Sequence, residues 1–152
     1  MLVRFVDNFL EECDLLKYQE YVEKVKTRQS IIKDEKTTRE FWQKYGEKVG
    51  VCGGKEILPY VTVTNSKKPL GKHKDSKMGG EKYKVLIYLN EIKNGGTIFY
   101  NNLEGGGKKE LIENKVNRMV LFDMDIEHES EKFSEDNDII IKKKAIGFRI
   151  LE

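Results

Sequence analysis

Residues 83–100 read YKVLIYLNEIKNGGTIFY, and this stretch indicates the fold more clearly than any other part of the chain. Its first half, Tyr83–Leu89, is rich in β-branched and aromatic residues, which predicts a strand. Asn94-Gly95-Gly96 is typical of a tight turn, and Thr97–Tyr100 reads as a second strand after it. The stretch therefore predicts a β-hairpin.

The first third of the chain shows a helical pattern instead. Apolar residues within 9–25 recur at spacings of three and four, which predicts a helix capped by Asp7 or Asn8. A second amphipathic helix is expected over Thr37–Val49, with one of its first two threonines as the cap and Gly50 near its end.

The remainder of the chain is expected to consist of short strands. They cover Ile57–Thr64, Leu111–Val116, Arg118–Ile126 and Ile139–Leu151, in addition to the two strands already described. We therefore expect one α+β, mainly β domain over residues 1–152, in which flanking helices (1–50) pack on a jelly-roll core (56–152), a double-stranded β-helix.

Composition excludes several classes of protein. The chain has 152 residues with 28 Lys+Arg and 26 Asp+Glu, so its net charge of +2 argues against a dedicated nucleic-acid binder. No apolar run approaches the roughly 20 residues that cross a bilayer, and the N-terminus does not resemble a secretory signal. A cytoplasmic location is expected, where Cys13 and Cys52 stay unpaired.

The two histidines of the chain lie in contexts that favour a metal site. His73 and Asp75 are two residues apart, so in an extended segment both side chains point the same way. His128 shares the parity of the apolar residues in Arg118–Ile126, which predicts that it also points inward.

Two imidazoles and one carboxylate are the ligands of the facial triad of non-haem iron oxygenases, which leaves three coordination positions open. Zinc can use the same ligands. A purely structural interpretation, with His73 in a surface loop and His128 in the core, stays open on these residues alone.

The C-terminal strand adds a cation. Lys144 shares its parity with Ile146, Phe148 and Ile150, which look buried. A lysine in line with core residues is costly unless an anion meets it or the side chain reaches the surface. A bound dicarboxylate would supply that anion.

Five segments together carry a resemblance to a known family. They are Phe5–Leu16, the tripeptide His73-Lys-Asp75, Val85–Asn90 with Gly95–Phe99, Val120–Asp123 with His128, and Lys144–Ile150. In this order they resemble the 2-oxoglutarate/Fe(II)-dependent dioxygenases of the prolyl 4-hydroxylase-like family, and the likeness runs along nearly the whole chain.

The resemblance implies a set of cofactors and roles. His73, Asp75 and His128 would hold Fe(II), and Lys144 would bind the far carboxylate of the co-substrate 2-oxoglutarate, with ascorbate as an optional addition. The strand before the tripeptide offers further candidates for a hydroxyl that contacts the co-substrate; these are Tyr60, Thr62 and Thr64.

The chain also departs from the family. The segment between His128 and Lys144 is longer than usual, and the glycine before the basic residue is missing. Lys143 and Arg149 therefore stay open as alternatives to Lys144.

The implied reaction is hydroxylation of a substrate with release of succinate and CO2. A prolyl residue in a protein or peptide is the favoured substrate by family likeness, a small molecule is an alternative, and nucleic acid is disfavoured. A different class stays open as well, namely a non-catalytic metal-binding jelly-roll module.

Overall fold

The computed structural model describes residues 1–25, 29–50, 57–66, 71–77, 79–101, 108–131 and 142–151; within these ranges it describes side chains except at 29–31, 57–60 and 64–66. The helices are α1 (Glu12–Glu23) and α2 (Glu35–Val49). The strands are β1 (Val3–Val6), β2 (Gln29–Lys33), β3 (Ile57–Ser66), β4 (Glu81–Tyr88), β5 (Thr97–Asn101), β6 (Lys108–Ile112), β7 (Met119–Asp123), β8 (Glu127–Ser130) and β9 (Lys143–Leu151).

These strands form two antiparallel sheets. The larger has six strands in the order β1-β7-β4-β9-β3-β2, and the smaller has three in the order β6-β5-β8. The prediction of mainly β structure with helices in the first third of the chain is confirmed.

The first fifty residues contain more β structure than expected. β1 pairs with β7 and β2 pairs with β3, so these two strands form the edges of the larger sheet. Treating residues 1–50 as helices alone was wrong. Strands of four and five residues are too short to show a recognisable pattern in the sequence. Their conformation depends on pairing with the neighbouring strand, which the local sequence does not reveal.

The helices begin at other residues than predicted. Asp34 caps α2, since its Oδ1 accepts a hydrogen bond from the backbone N of Thr37 at 2.9 Å. Asp7 does not cap α1 but lies 2.6 Å from Nε of Arg118. The end of α2 is as expected, because Gly50 has a left-handed φ of 75°.

The central strands of the larger sheet are covered on both faces, which explains their nearly continuous apolar sequences. One face packs on the helices, where the ring of Phe148 stacks on that of Phe41 with centroids 4.0 Å apart. The other face packs on the smaller sheet. Its cluster contains Tyr88, Phe99, Ile112, Val120, Phe122, Ile126 and Ala145.

The predicted hairpin over residues 83–100 is wrong, although both strands and the turn exist. β4 is hydrogen-bonded on one side to β7 and on the other to β9, so it has no free edge for β5. The turn, in which the backbone N of Gly95 donates to the carbonyl of Ile92 at 3.0 Å, instead carries the chain from the larger sheet to the smaller one.

No helix in the described ranges is long and apolar enough to cross a membrane. Cys13 is a free, exposed thiol, and Cys52 lies outside the described residues.

Candidate metal centre

His128 lies on β8, at the side of the smaller sheet that meets the segment 71–77. The backbone N of His73 donates to the carbonyl of His128 at 2.9 Å, and the backbone N of His128 donates back at the same distance. This reciprocal pair holds two segments together that are distant in the sequence, and it brings the tripeptide of His73 and Asp75 to the second histidine.

The inward direction expected for His128 is observed, but the strand that was to provide it is interrupted. β7 ends at Asp123, a turn follows, and His128 belongs to the other sheet. Its ring packs on Phe122 and Phe99, with centroids 5.1 and 5.7 Å away. These aromatic neighbours bury the imidazole, which is 7% exposed.

The three candidate ligands converge. Oδ1 of Asp75 lies 3.4 Å from Nε2 of His73 and 3.4 Å from Nε2 of His128. One nitrogen or oxygen of each residue lies within 4.8 Å of the others, a spacing that suits three ligands on one ion.

Each imidazole ring forms its backbone hydrogen bond through Nδ1, which leaves Nε2 as the nitrogen that can bind a metal. Nδ1 of His73 lies 2.6 Å from the carbonyl of Gly71, and Nδ1 of His128 lies 3.1 Å from that of Ile126. A carbonyl can only accept, so each Nδ1 carries the proton and donates. When the imidazole is neutral, Nε2 therefore has its lone pair directed at the convergence point, as in metal-ligating histidines.

Asp75 also contacts a buried lysine. Its Oδ2 accepts a hydrogen bond from Nζ of Lys84 at 2.8 Å, and both side chains are only 6% exposed. Burial by itself would raise the pKa of Asp75. The charge of Lys84 and the hydrogen bonds from both histidines outweigh that effect, so the pKa is held far below its usual range and the carboxylate stays ionised.

The pKa of His73 is raised, chiefly by the hydrogen bond from its ring to Asp75 and against the effect of burial. A metal requires the neutral imidazole, so an ion has to displace a proton that the carboxylate helps to hold.

A cavity opens beside these ligands between the two sheets. It is lined by His73, Asp75, Lys84, Leu86, Thr97, Phe122, His128, Ser130, Lys143 and Ala145. Its walls are partly apolar, with polar groups at a few positions, as is usual for small-molecule sites.

Lys143 is the cation that enters this cavity from β9. It is 5% exposed, its Nζ donates to the carbonyl of Gly96 at 3.3 Å, and its ammonium lies 5.2 Å from the ring centroid of Tyr88. Desolvation lowers the pKa of Lys143 to about 8, and Glu131 opposes the shift only in part. A neutral carbonyl is an incomplete partner for a buried ammonium.

The expected placement of Lys144 is wrong. Lys144 does share a face with Ile146 and Phe148, but that face packs on the helices, and its Nζ pairs with Glu23 of α1. Lys143, one residue earlier, points to the cavity. Because β9 is covered on both faces, the alternation of side chains along it divides its residues into two buried sets. It does not indicate which set lines the cavity.

The remaining candidates are placed as follows. Thr62 is buried, and its Oγ1 has no hydrogen-bond partner within the described part of the chain. The side chains of Tyr60 and Thr64 are outside the described ones. Arg149 donates to the carbonyl of Ser76 at 2.7 Å, and so it holds the end of the metal-ligand segment rather than facing the open cavity.

Sequence reasoning missed Lys84 and the polar pair of Tyr88 and Thr97, whose hydroxyl oxygens lie 2.6 Å apart next to Lys143. A signal for Lys84 was available, because it is the single lysine in the predicted strand Tyr83–Leu89, the same anomaly that indicated Lys144.

No family model and no curated protein matches the chain by sequence. A prolyl hydroxylase from Trichoplax adhaerens, solved with a hypoxia-inducible-factor peptide fragment, has a TM-score of 0.66 at 17% identity and covers 98% of this chain and 83% of its own.

Two further structures are similar. A 2OG-Fe(II) oxygenase family oxidoreductase from Burkholderia pseudomallei has a TM-score of 0.72 at 9% identity, over 98% of this chain and 84% of its own. HygX from Streptomyces hygroscopicus, solved with nickel and 2-oxoglutarate, has a TM-score of 0.69 at 10% identity, over 98% and 81%. The chain therefore has the fold of the 2-oxoglutarate/Fe(II) oxygenases, a group that includes prolyl hydroxylases.

Proposed function

We propose that this protein is an iron(II)- and 2-oxoglutarate-dependent dioxygenase. The observation that carries the proposal is the convergence of His73, Asp75 and His128 at the mouth of a cavity that contains the buried ammonium of Lys143. A metal site alone would allow other functions. A metal site with a buried cation beside it has the two features that an anionic co-substrate of iron requires.

The donor set fits Fe(II). Two neutral imidazoles and one ionised carboxylate hold a divalent ion on one side and leave the cavity side for other ligands. The side chains need little rearrangement, since both Nε2 atoms already lie at equal distances from Oδ1 of Asp75. The backbone carbonyls of Gly71 and Ile126 keep both rings in the required tautomer.

The cavity fits 2-oxoglutarate, with Lys143 in the role that the sequence assigned to Lys144. The ammonium of Lys143 contacts a backbone carbonyl and an aromatic face, and Glu131 offsets its desolvation only in part, so a carboxylate would complete its environment. Thr97 also lines the cavity, and its hydroxyl, which lies 2.6 Å from that of Tyr88, can donate to the same carboxylate when Tyr88 donates to it. Thr62 has an unused buried hydroxyl and stays a candidate as well.

When bound, iron and 2-oxoglutarate supply the oxidation, with release of succinate and CO2. The residues of the chain orient these two groups and enclose them. Phe122 and Phe99 pack on the ring of His128 and keep water from that side of the centre. Arg149 holds the carbonyl of Ser76, directly after the carboxylate ligand, so the ligand segment keeps its position.

The substrate proposed is a prolyl residue in a protein or peptide. The Trichoplax structure, solved in complex with a peptide fragment, supports this choice by analogy. We further propose that the two sheets form a double-stranded β-helix, and that residues 1–152 act as a single dioxygenase domain.

The test is succinate release with Fe(II) and 2-oxoglutarate, for the wild type, His73→Ala and the control Lys74→Ala. Lys74 is exposed and lies between two ligands, so its removal changes the same segment without removing a donor. We expect activity in the wild type and the control and background release in His73→Ala. Release that survives in His73→Ala would refute the metal site, and a wild type that binds metal without forming succinate would favour the non-catalytic binding module.

A further inference from the structure

Lys84 is a second buried ammonium in the cavity wall, and the proposed function does not yet use it. It lies on β4, its side chain is 6% exposed, and its described hydrogen bond goes to Oδ2 of Asp75 at 2.8 Å. The other oxygen of the same carboxylate, Oδ1, is the one that both histidines face. Asp75 therefore lies between the amino group of Lys84 and the candidate metal position.

The fold makes room for this lysine. A Cβ at Gly147 of β9 would lie 3.1 Å from Cε of Lys84 and 3.3 Å from the carbonyl oxygen of Val85. The side chain of Lys84 therefore passes close to Gly147, where an added methyl group would press on it. This path carries the ammonium to Asp75 rather than to the surface, whereas a buried lysine more often reaches water with its head group.

The charges that line the cavity do not balance once a metal is bound. Asp75 is the only acidic side chain among the described residues that line it, and Lys84 and Lys143 are both basic. Without metal, Asp75 neutralises Lys84. A divalent ion at Oδ1 shares this carboxylate with Lys84, which is at Oδ2, so two buried ammonium groups and a dication then face one negative charge in the cavity. Buried charge without enough opposite charge is costly. An anion entering the cavity removes the imbalance.

We propose that Lys84 is the anion partner at the metal end of the cavity and makes the binding of the metal and of a 2-oxo acid mutually dependent. Lys143 holds the far carboxylate, and Lys84 takes the carboxylate next to the oxo group when the metal engages Asp75. Metal alone binds weakly because Lys84 opposes it, and metal with the anion binds tightly. This inference rests on the proposed function and identifies a residue that controls the order in which the site is filled.

The experiment measures the Kd of Mn(II), which binds such sites without oxygen chemistry, by calorimetry in the absence and presence of saturating 2-oxoglutarate. The ratio of the two Kd values is the coupling factor. Lys84→Gln removes the charge but keeps an N–H donor for Oδ2 of Asp75, so the carboxylate keeps its orientation. Lys84→Arg keeps the charge, and Lys74→Gln is the control for loss of an exposed positive charge close to the ligands.

In Lys84→Gln we expect Mn(II) alone to bind more tightly and the coupling factor to fall about tenfold, within the usual range of such couplings. Lys84→Arg and Lys74→Gln are expected to keep the coupling factor within about twofold of the wild type. Should Lys84→Gln fail to fold, as judged by circular dichroism, Gly147→Ala displaces the ammonium without removing it and must lower the coupling factor in the same direction.

Three outcomes would overturn the proposal. In the first, Lys84→Gln weakens Mn(II) equally with and without 2-oxoglutarate, because Lys84 then only positions Asp75. In the second, the coupling factor of a folded Lys84→Gln equals that of the wild type. In the third, wild-type protein binds no Mn(II) or shows no coupling with 2-oxoglutarate, which also removes the proposed function; the first two outcomes leave that function intact.

Discussion

The two faces of β9 differ in what they do, although they belong to the same nine-residue strand. One face presents Lys144 and Phe148 to the helices, where the lysine pairs with Glu23 and the phenylalanine stacks on Phe41. The other presents Lys143 to the cavity, where the structure offers it no acidic side chain as a hydrogen-bonded or ion-paired partner among the described residues. The same residue type therefore serves packing on one face and is left ready for an anion on the other.

The difference between the two faces shows which buried charge indicates a binding site. Lys144 reaches an exposed glutamate at the edge of the helix layer, so its charge is satisfied and its removal costs little. Lys143 is desolvated and incompletely paired, which is a destabilising arrangement that persists in a structure chiefly when function requires it.

The largest effect is expected on the helix face. Phe148 is completely buried and stacks on Phe41, so Phe148→Ala should lower the free energy of unfolding by about 3–5 kcal/mol. Urea denaturation followed by circular dichroism measures this change. The residual folded protein should keep the Mn(II) affinity of the wild type, because Phe148 does not line the cavity; a parallel loss of metal affinity would show that the two faces are not independent.

The next effect is on the cavity face and separates the two lysines directly. Lys143→Met should weaken 2-oxoglutarate binding by about 100-fold, the cost of leaving a buried carboxylate without its cation. Lys144→Met should change it by less than about twofold, because an exposed ion pair contributes little. Calorimetric titration of 2-oxoglutarate into the Mn(II)-loaded protein gives both values, and the reverse ranking would return the role to Lys144.

Lys143→Met is also expected to raise the free energy of unfolding, an effect opposite in sign to that of Phe148→Ala. Burial lowers the pKa of Lys143 to about 8 from 10.5, so at pH 7 the folded state keeps a proton that it holds less well than the unfolded state does. Lys143→Met should therefore stabilise the metal-free protein at pH 7 by about 3 kcal/mol.

The pH dependence supplies the check on this stabilisation. Between the two pKa values the unfolded state binds more protons than the folded state, so the wild type gains stability as the pH rises from about 8 to about 10.5. The advantage of Lys143→Met should be largest below pH 8 and absent above that window. Chemical denaturation of both proteins at pH 7, 9 and 10.5 tests this, and a difference that does not change with pH would point to packing instead of charge.

Most of the fold was predictable because it depends on local patterns. The β-branched and aromatic residues of Tyr83–Leu89 and the helical spacing before Val49 identify elements directly, and both agree with the structure apart from their ends. The hairpin prediction was wrong because a turn motif determines the backbone of a few residues only. It does not determine which strands pair with each other. β4 already pairs with β7 and β9, which are far away in sequence.

The three candidate ligands could be selected from the sequence for a different reason. A chain with two histidines offers few alternative sets of histidine ligands. His73 and Asp75 are two residues apart, so their side chains point the same way in any extended segment. Their convergence with His128 was not predictable from spacing, because it depends on one antiparallel bridge between segments that no local rule connects.

The sequence by itself determined the class of structure, the ligand types and the presence of lysines in strands that are otherwise apolar, since these follow from residue identity and short-range periodicity. Only the tertiary structure decided which of those lysines faces the cavity. Lys143 and Lys84 enter it while Lys144 leaves toward α1, because the sheet is covered on both sides and the packing of helices and strands around it gives each face its environment.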